Sequence, residues 1–316
     1  MSAFIIRRLL QALLVLIMVT VLVFLVMRLL PLDPITLYVI GTGNMDEAQI
    51  IFLKHQYGLD KPLYVQYFDW ISKVVRGDLG QSLFYKDSVN KILAQRVPVT
   101  MYLGITSMLI STIVGITIGM VAAIRRGKWL DNIASPFSIV LVCLPSFLLG
   151  IFLIYIFGMK LHWLPFHDLV LPWQNFGLSV REVIMPAICM SALGLAMNAR
   201  QMRSSMLEII RQDYIRTAWS KGLTEHVVIL KHALKNSLIP VVTLVGMSVG
   251  FVFAGAVITE TIFSIPGIGR LFVTCIQGQD YIVVQDLAVI FGTVILLVNL
   301  LVDISYTWID PRIRYN

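Results

Sequence analysis

The residues able to do chemistry are few and scattered. Cys143, Cys189 and Cys275 follow no metal or redox spacing and read as free thiols in apolar helices. His162 and His167 stand five apart, which does not place two ligands on one helix face, and His55 is alone. His226 and His232 fall in a polar stretch without cysteine or acidic partners at ligand spacing. No metal site is expected. The phosphate-cradling pattern G-x-x-x-x-G-K-[ST] is absent, so the chain does not hold ATP by that route. An H-E-x-x-H motif and an aspartate pair inside an apolar run are also absent, which argues against an intramembrane enzyme. What remains is a patterned polar segment, Arg200–Ser237, whose chemistry is recognition rather than bond making.

That segment is too polar to cross a bilayer and too regular for a linker. Ser205-Met206-Leu207-Glu208 fits a capping box, which predicts a helix start. Leu207, Ile210, Tyr214, Ile215 and Ala218 recur at helical spacing, with Arg211, Arg216 and Lys221 elsewhere on the surface. Gly222 is placed to end this helix. Thr224 can cap a second helix from about Glu225 to Asn236. Pro240 suits the first turn of the apolar run that follows. Two short amphipathic helices on a Gly turn favour a docking surface for a soluble partner. The plainer alternative is a basic loop that sets topology and touches anionic headgroups.

The elements that carry this loop follow from composition. Of 316 residues, 58% are hydrophobic and only 14% charged, and the mean hydropathy is +0.83. Soluble domains carry about 25% charge. Collagen, intrinsic disorder and a disulfide scaffold are excluded as well. Runs without Asp, Glu, Lys or Arg separate Arg8 from Arg28, Arg96 from Arg125, Asp131 from Lys160, Glu182 from Arg200, Lys235 from Glu260, and Asp286 from Asp303. Six membrane spans are predicted, the last extended to about Val283–Trp308. The expected organisation is a first helix over 1–30, an external segment over 31–98, a five-helix core over 99–308 and a tail over 309–316. The apolar run after Arg8 is longer than a signal-peptide core and meets Pro31 and Pro34, so it is expected to remain as a span.

The net charge of +7 would raise nucleic acid as a partner for a soluble protein. Here it reports topology. With both termini inside, the inside segments carry +9, the outside segments −1, and residues within the spans −1. Arg7-Arg8, Arg125-Arg126-Gly127-Lys128 and Arg312/Arg314 all fall inside, as the positive-inside rule requires.

Small residues mark close helix approach. Ser107, Ser111, Gly115, Gly119 and Ala123 recur every four residues in the second span, and Gly246, Gly250 and Ala254 in the fifth. They signify packing within the chain, or else a subunit interface or moving seam. Pro145 should kink or break the third span, as a structural bend or a hinge; Pro240 is a second hinge candidate. The outside segment holds Tyr57, Tyr64, Tyr67, Phe68 and Trp70, which suit either a folded cap or a docking face.

DYIRTAWSKG at Asp213–Gly222 and LKHALKNSLIP at Leu230–Pro240 resemble the Gly-centred coupling loop of bacterial ABC-importer permeases, closest to the oligopeptide/dipeptide/nickel branch. The general motif places Glu-Ala-Ala where this chain has Arg216, Thr217 and Ala218, a departure habitual in that branch. RRLL at Arg7–Leu10, LPLDP at Leu30–Pro34, GLDKPLYVQYFDW at Gly58–Trp70, GDLGQS at Gly77–Ser82, HWLP at His162–Pro165 and IFSIPGIGRL at Ile262–Leu271 extend the resemblance over nearly the whole chain. QDY at Gln279–Tyr281 lacks the usual following proline.

The resemblance implies an all-α, six-span, type I importer permease in the bacterial inner membrane, without catalysis of its own. It implies a homologous second permease, two ATPase subunits holding ATP and magnesium, and an external substrate-binding protein as partners, with no cofactor in this chain. It also implies that Asp213, Arg216, Thr217, Ala218, Gly222, His232 and Asn236 couple to the ATPases. The cargo would be a peptide, nickel or a metal chelate. A secondary, ion-coupled transporter is the alternative, but Arg28, Asp286 and Asp303 lie near span ends and the halves show no repeat.

Overall fold

The computed structural model describes residues 2–29, 51, 52, 54, 55 and 58–309. The expectations for Leu30–Pro34, Tyr57, Arg312, Arg314 and nearly all of the tail lie outside them. Among the described residues the chain is helical, with one isolated bridge between Gln81 and Ser88. In chain order the helices are α1 (Ser2–Arg28), α2 (Leu63–Val75), α3 (Val89–Ile124), α4 (Trp129–Cys143), α5 (Ser146–Leu153), α6 (Phe176–Ile209), α7 (Asp213–Ser220), α8 (Leu234–Ile262), α9 (Ile268–Gln277) and α10 (Tyr281–Ile309). A π-helical turn, Ile154–Lys160, prolongs α5. A one-turn helix, Glu225–Val227, runs through a second π turn, Val228–Ala233, into α8. Among these residues five helices are long and apolar enough to span, or six when the bent pair around Pro145 counts as one.

The chain divides into two compact units, Met1–Pro98 with Pro266–Asn316, and Val99–Ile265. In the first, the aromatic residues of α2 close on the end of α1. Phe24 is 2% exposed and lies 5.5 Å from the Tyr67 ring and 6.1 Å from Trp70. Arg28 Nε donates to Gln66 Oε1 at 2.9 Å, and the Trp70 indole donates to Asp286 Oδ1 at 2.9 Å. Tyr67 and Trp70 thus serve as the folded cap, while Tyr64 and Phe68 stay exposed. The Asp280 carboxylate, fully buried, accepts from Ser82 Oγ at 2.5 Å and from the Phe84 amide at 3.1 Å.

In the second unit the small residues of α3 meet α6. A Cβ on Gly115 would lie 2.8 Å from Asn198 Cβ, and one on Gly119 would run into the carbonyl oxygen of Ala199. Backbone-to-backbone approach this close tolerates only glycine. At Pro145, where a kink or break is expected, the third span breaks: α4 and α5 meet at 105°, because the proline carries extended backbone (ψ 132°) as the N-cap of α5. Two boundaries differ from the sequence reading.

The first is at Ser205. It caps nothing, since α6 runs unbroken through it to Ile209. Met202 and Met206, one turn apart and fully buried, hold that extension. Burying each is worth about 1.5–3 kcal/mol, against about 1 kcal/mol for a cap. The second is at Pro240, which is inside α8 rather than in its first turn, because the expected loop helix joins α8 through the π turn Val228–Ala233.

Candidate functional site

The segment between α6 and α8 is built from its buried side outward. In α7, Ile215 and Ala218 are three residues apart and both buried. They pack with Ala123 at the end of α3, Met202 and Met206 of α6, Val228 and Ala233 of the π turn, and Val241 of α8. The short helix is therefore locked into the ends of three long ones.

Gly222 ends α7 at φ +75°. The Leu223 amide reaches the Ala218 carbonyl at 3.4 Å and the Gly222 amide reaches that of Trp219 at 2.9 Å, the paired bonds of a Schellman turn. A Cβ on Gly222 would meet nothing within 4 Å. The glycine is needed for its left-handed backbone, not for space. Thr224 occupies the next N-cap position without a side-chain cap bond.

The coupling candidates separate by orientation. Asp213 and Arg216 point outward with side chains 97% and 74% exposed, and their ion pair is long, at 3.6 Å. Thr217 is exposed, with its hydroxyl on the Asp213 carbonyl at 2.9 Å. Ala218 faces inward, so its side chain positions α7 instead of meeting a partner. Asn236 donates to the Tyr214 hydroxyl at 2.8 Å and to the His232 carbonyl at 3.2 Å. That clasp ties α7 to the start of α8.

Two further features carry no local sequence signal strong enough to single them out. Trp219 leaves 45% of its surface exposed shortly before the Gly turn, and Leu223 and Val227 after it are exposed as well. With Ile124, Arg126, Arg211 and Glu225 it lines a cleft of about 280 Å³. Asp131 in the first turn of α4 receives Arg203 of α6 in a two-point contact, 2.6 and 2.9 Å, and also accepts the Gly127 amide at 3.0 Å. Each is a lone charge bordering an apolar run, which the sequence shows; their pairing across 72 positions it does not.

The remaining candidates are distributed through the bundle. Ser107, Ser111 and Ala123 are buried in the α3 seam, and Gly194 of α6 approaches Ser111. In α8, Gly246 and Gly250 are half-buried and Ala254 is exposed. The string Gly246-Met247-Ser248-Val249-Gly250 matches the G-x-S-x-G pattern of serine hydrolases. That pattern needs a strand-to-helix elbow. Here it lies inside α8, and Ser248 donates to the Val245 carbonyl at 2.7 Å. Among the described residues no cluster of three His, Cys, Asp or Glu could hold a metal.

A membrane-spanning helical bundle with a Gly-turn helix locked across the ends of its long helices is the architecture of a transporter's transmembrane subunit. Residues 115–315 match the binding-protein-dependent transport system inner membrane component, and residues 1–104 match the N-terminal component of the same systems. The chain belongs to this family. It is 38% identical over its full length, and that of the relative, to a probable peptide ABC transporter permease of Sinorhizobium fredii. It is 39% identical, again over both full lengths, to the glutathione transport system permease protein GsiC of Escherichia coli. A solved structure of the MetNI methionine ABC transporter in inward-facing form matches at TM-score 0.54 and 13% identity, covering 69% of this chain and 96% of that one. This likeness supports the fold. The chain is the non-catalytic permease of an ABC importer in the inner membrane; a separate ATPase and a substrate-binding protein complete such systems.

Proposed function

We propose that this permease moves small peptides inward by alternating access, paired with a homologous second permease and driven by two ATPase subunits that hold ATP and magnesium. The segment 200–237 lies on the cytoplasmic side with both termini, as its share of the +9 inside charge supports. The single observation that carries the coupling role is the packing of α7. Its inner face is embedded among α3, α6 and α8, while Arg216, Thr217 and Trp219 are presented outward. A displacement imposed on α7 by closing ATPases must move the ends of those long helices, since packed cores shift as units rather than deform. Peptide as cargo is supported by the relatives named for peptide and glutathione transport.

The test is retention of the ATPase subunits by tagged permease purified in mild detergent. Arg216→Glu with Trp219→Ala should lose them while the permease still inserts. Undiminished retention together with undiminished peptide uptake would contradict the coupling role.

A further inference from the structure

Away from the coupling loop, α1 and α10 of the first unit border an open cleft of about 880 Å³. The two helices touch where Val19 meets Gly292; a Cβ on that glycine would lie 3.1 Å from the valine side chain. The cleft lies beyond this contact, toward the start of α1. Its lining changes with depth. Nearest the contact are Leu14 and Val15 of α1 and Leu296 of α10. Gln11 stands eight residues from the contact and Asn299 seven, about 12 Å and about 10 Å by helix rise, so the two carboxamides share one level. Arg7 follows one turn farther out, about 6 Å from Gln11, where the apolar run ends.

Arg7, Gln11 and Asn299 are exposed, and none has a hydrogen bond or ion pair among the described residues. Arg8 also lines the cleft, engaged by a contact of its own. A carboxamide facing lipid is unfavourable until something hydrogen-bonds it. An apolar helix laid in the cleft would leave both amides and the guanidinium unmet. Guanidinium, carboxamides and aliphatic side chains, in that order, match the phosphate, ester carbonyls and acyl chains of a phospholipid. A guanidinium grips phosphate through two N–H donors, and a carboxamide N–H donates to an ester carbonyl. No acidic residue is among those described along the lining, so a headgroup ammonium would find no partner there. That favours a headgroup of net negative charge.

We propose that this cleft is a binding site for one anionic phospholipid, drawn from the leaflet at the N-terminal end of α1. Its phosphate sits on Arg7, its ester groups meet Gln11 and Asn299, and an acyl chain runs along Leu14, Val15 and Leu296. The lipid then acts as a fixed ligand that fills the space between α1 and α10.

The test is native mass spectrometry of the assembled importer, stripped of lipid in mild detergent and titrated with dioleoyl phosphatidylglycerol or dioleoyl phosphatidylcholine. Wild type should bind phosphatidylglycerol saturably, about fivefold or more tightly than phosphatidylcholine. Arg7→Gln should lose one tightly bound phosphatidylglycerol. Arg125→Gln, which removes the same charge from an exposed position just after α3, should keep it. Ala12→Trp places a bulky ring in the lining and should weaken both lipids. Equal binding of the two lipids by wild type would overturn the site, whether or not the variants assemble. Equal losses in Arg7→Gln and Arg125→Gln would also overturn it, by showing only general surface charge. The same spectra weigh the subunits. Shedding of the second permease by Arg7→Gln or Ala12→Trp, with lipid binding unchanged, would assign the cleft to a protein partner and overturn the lipid site.

Discussion

Gly222 offers the sharpest perturbation of the coupling loop, because its cost can be worked from local geometry. The turn after α7 holds the left-handed conformation at φ +75° with nothing within 4 Å of the missing Cβ. Any penalty for a side chain is thus backbone strain, about 1–2 kcal/mol for an ordinary residue. The turn is exposed and held by two hydrogen bonds of 2.9 and 3.4 Å. These contribute about 0.5–1.5 kcal/mol each. Strain and restraint are of the same size, so Gly222→Val should open the turn for much of the time.

Asparagine adopts this conformation far more readily, and Gly222→Asn should retain the turn. Reconstituted with its ATPases and binding protein, the Val variant should lose about five- to thirtyfold in ATP-driven uptake. The Asn variant should stay within about threefold of wild type. Both should insert normally, since α7 is held by Ile215 and Ala218. If Val and Asn fall equally, bulk rather than backbone conformation matters; if neither falls, the turn has no part in coupling.

Three other outcomes follow from the packing. Arg203→Met leaves the Asp131 carboxylate covered and short of its two-point partner, and should cost about 1.5–3 kcal/mol in unfolding assays. Adding Asp131→Leu should recover most of it, and independent additive losses would refute the pairing. Gly119→Leu drives a side chain into the Ala199 carbonyl and should sharply reduce the yield of folded permease, by overpacking of about 1–3 kcal/mol or more. Cys275 is fully buried and burial pushes its thiol up to about 12. It should therefore resist maleimide at pH 8 in the folded protein and react after denaturation; rapid native labelling, read by peptide mass, would show the pocket around it open.

The spans, the α3 seam and the Gly turn were legible because each rests on local pattern: run length, period-four small residues, and a glycine closing an amphipathic helix. The misreadings share one cause. Ser205 carries a cap signal, but Met202 and Met206 bury more surface by continuing α6 than a cap returns. Pro240 signals a helix start, but the π turn at Val228–Ala233 joins the loop helix to α8 upstream of it. Contacts set by tertiary structure had no local trace at all. Trp70 with Asp286, 216 positions apart, and Arg203 with Asp131 are visible only once the helices are placed.

The central claim is that this permease draws its energy from ATP through α7. The most direct measurement is peptide uptake by proteoliposomes holding the complete importer and binding protein, supplied with ATP and no ion gradient, or with a proton gradient and no ATP. The account predicts uptake with ATP alone, lost with Gly222→Val. Uptake driven by the gradient alone would contradict it.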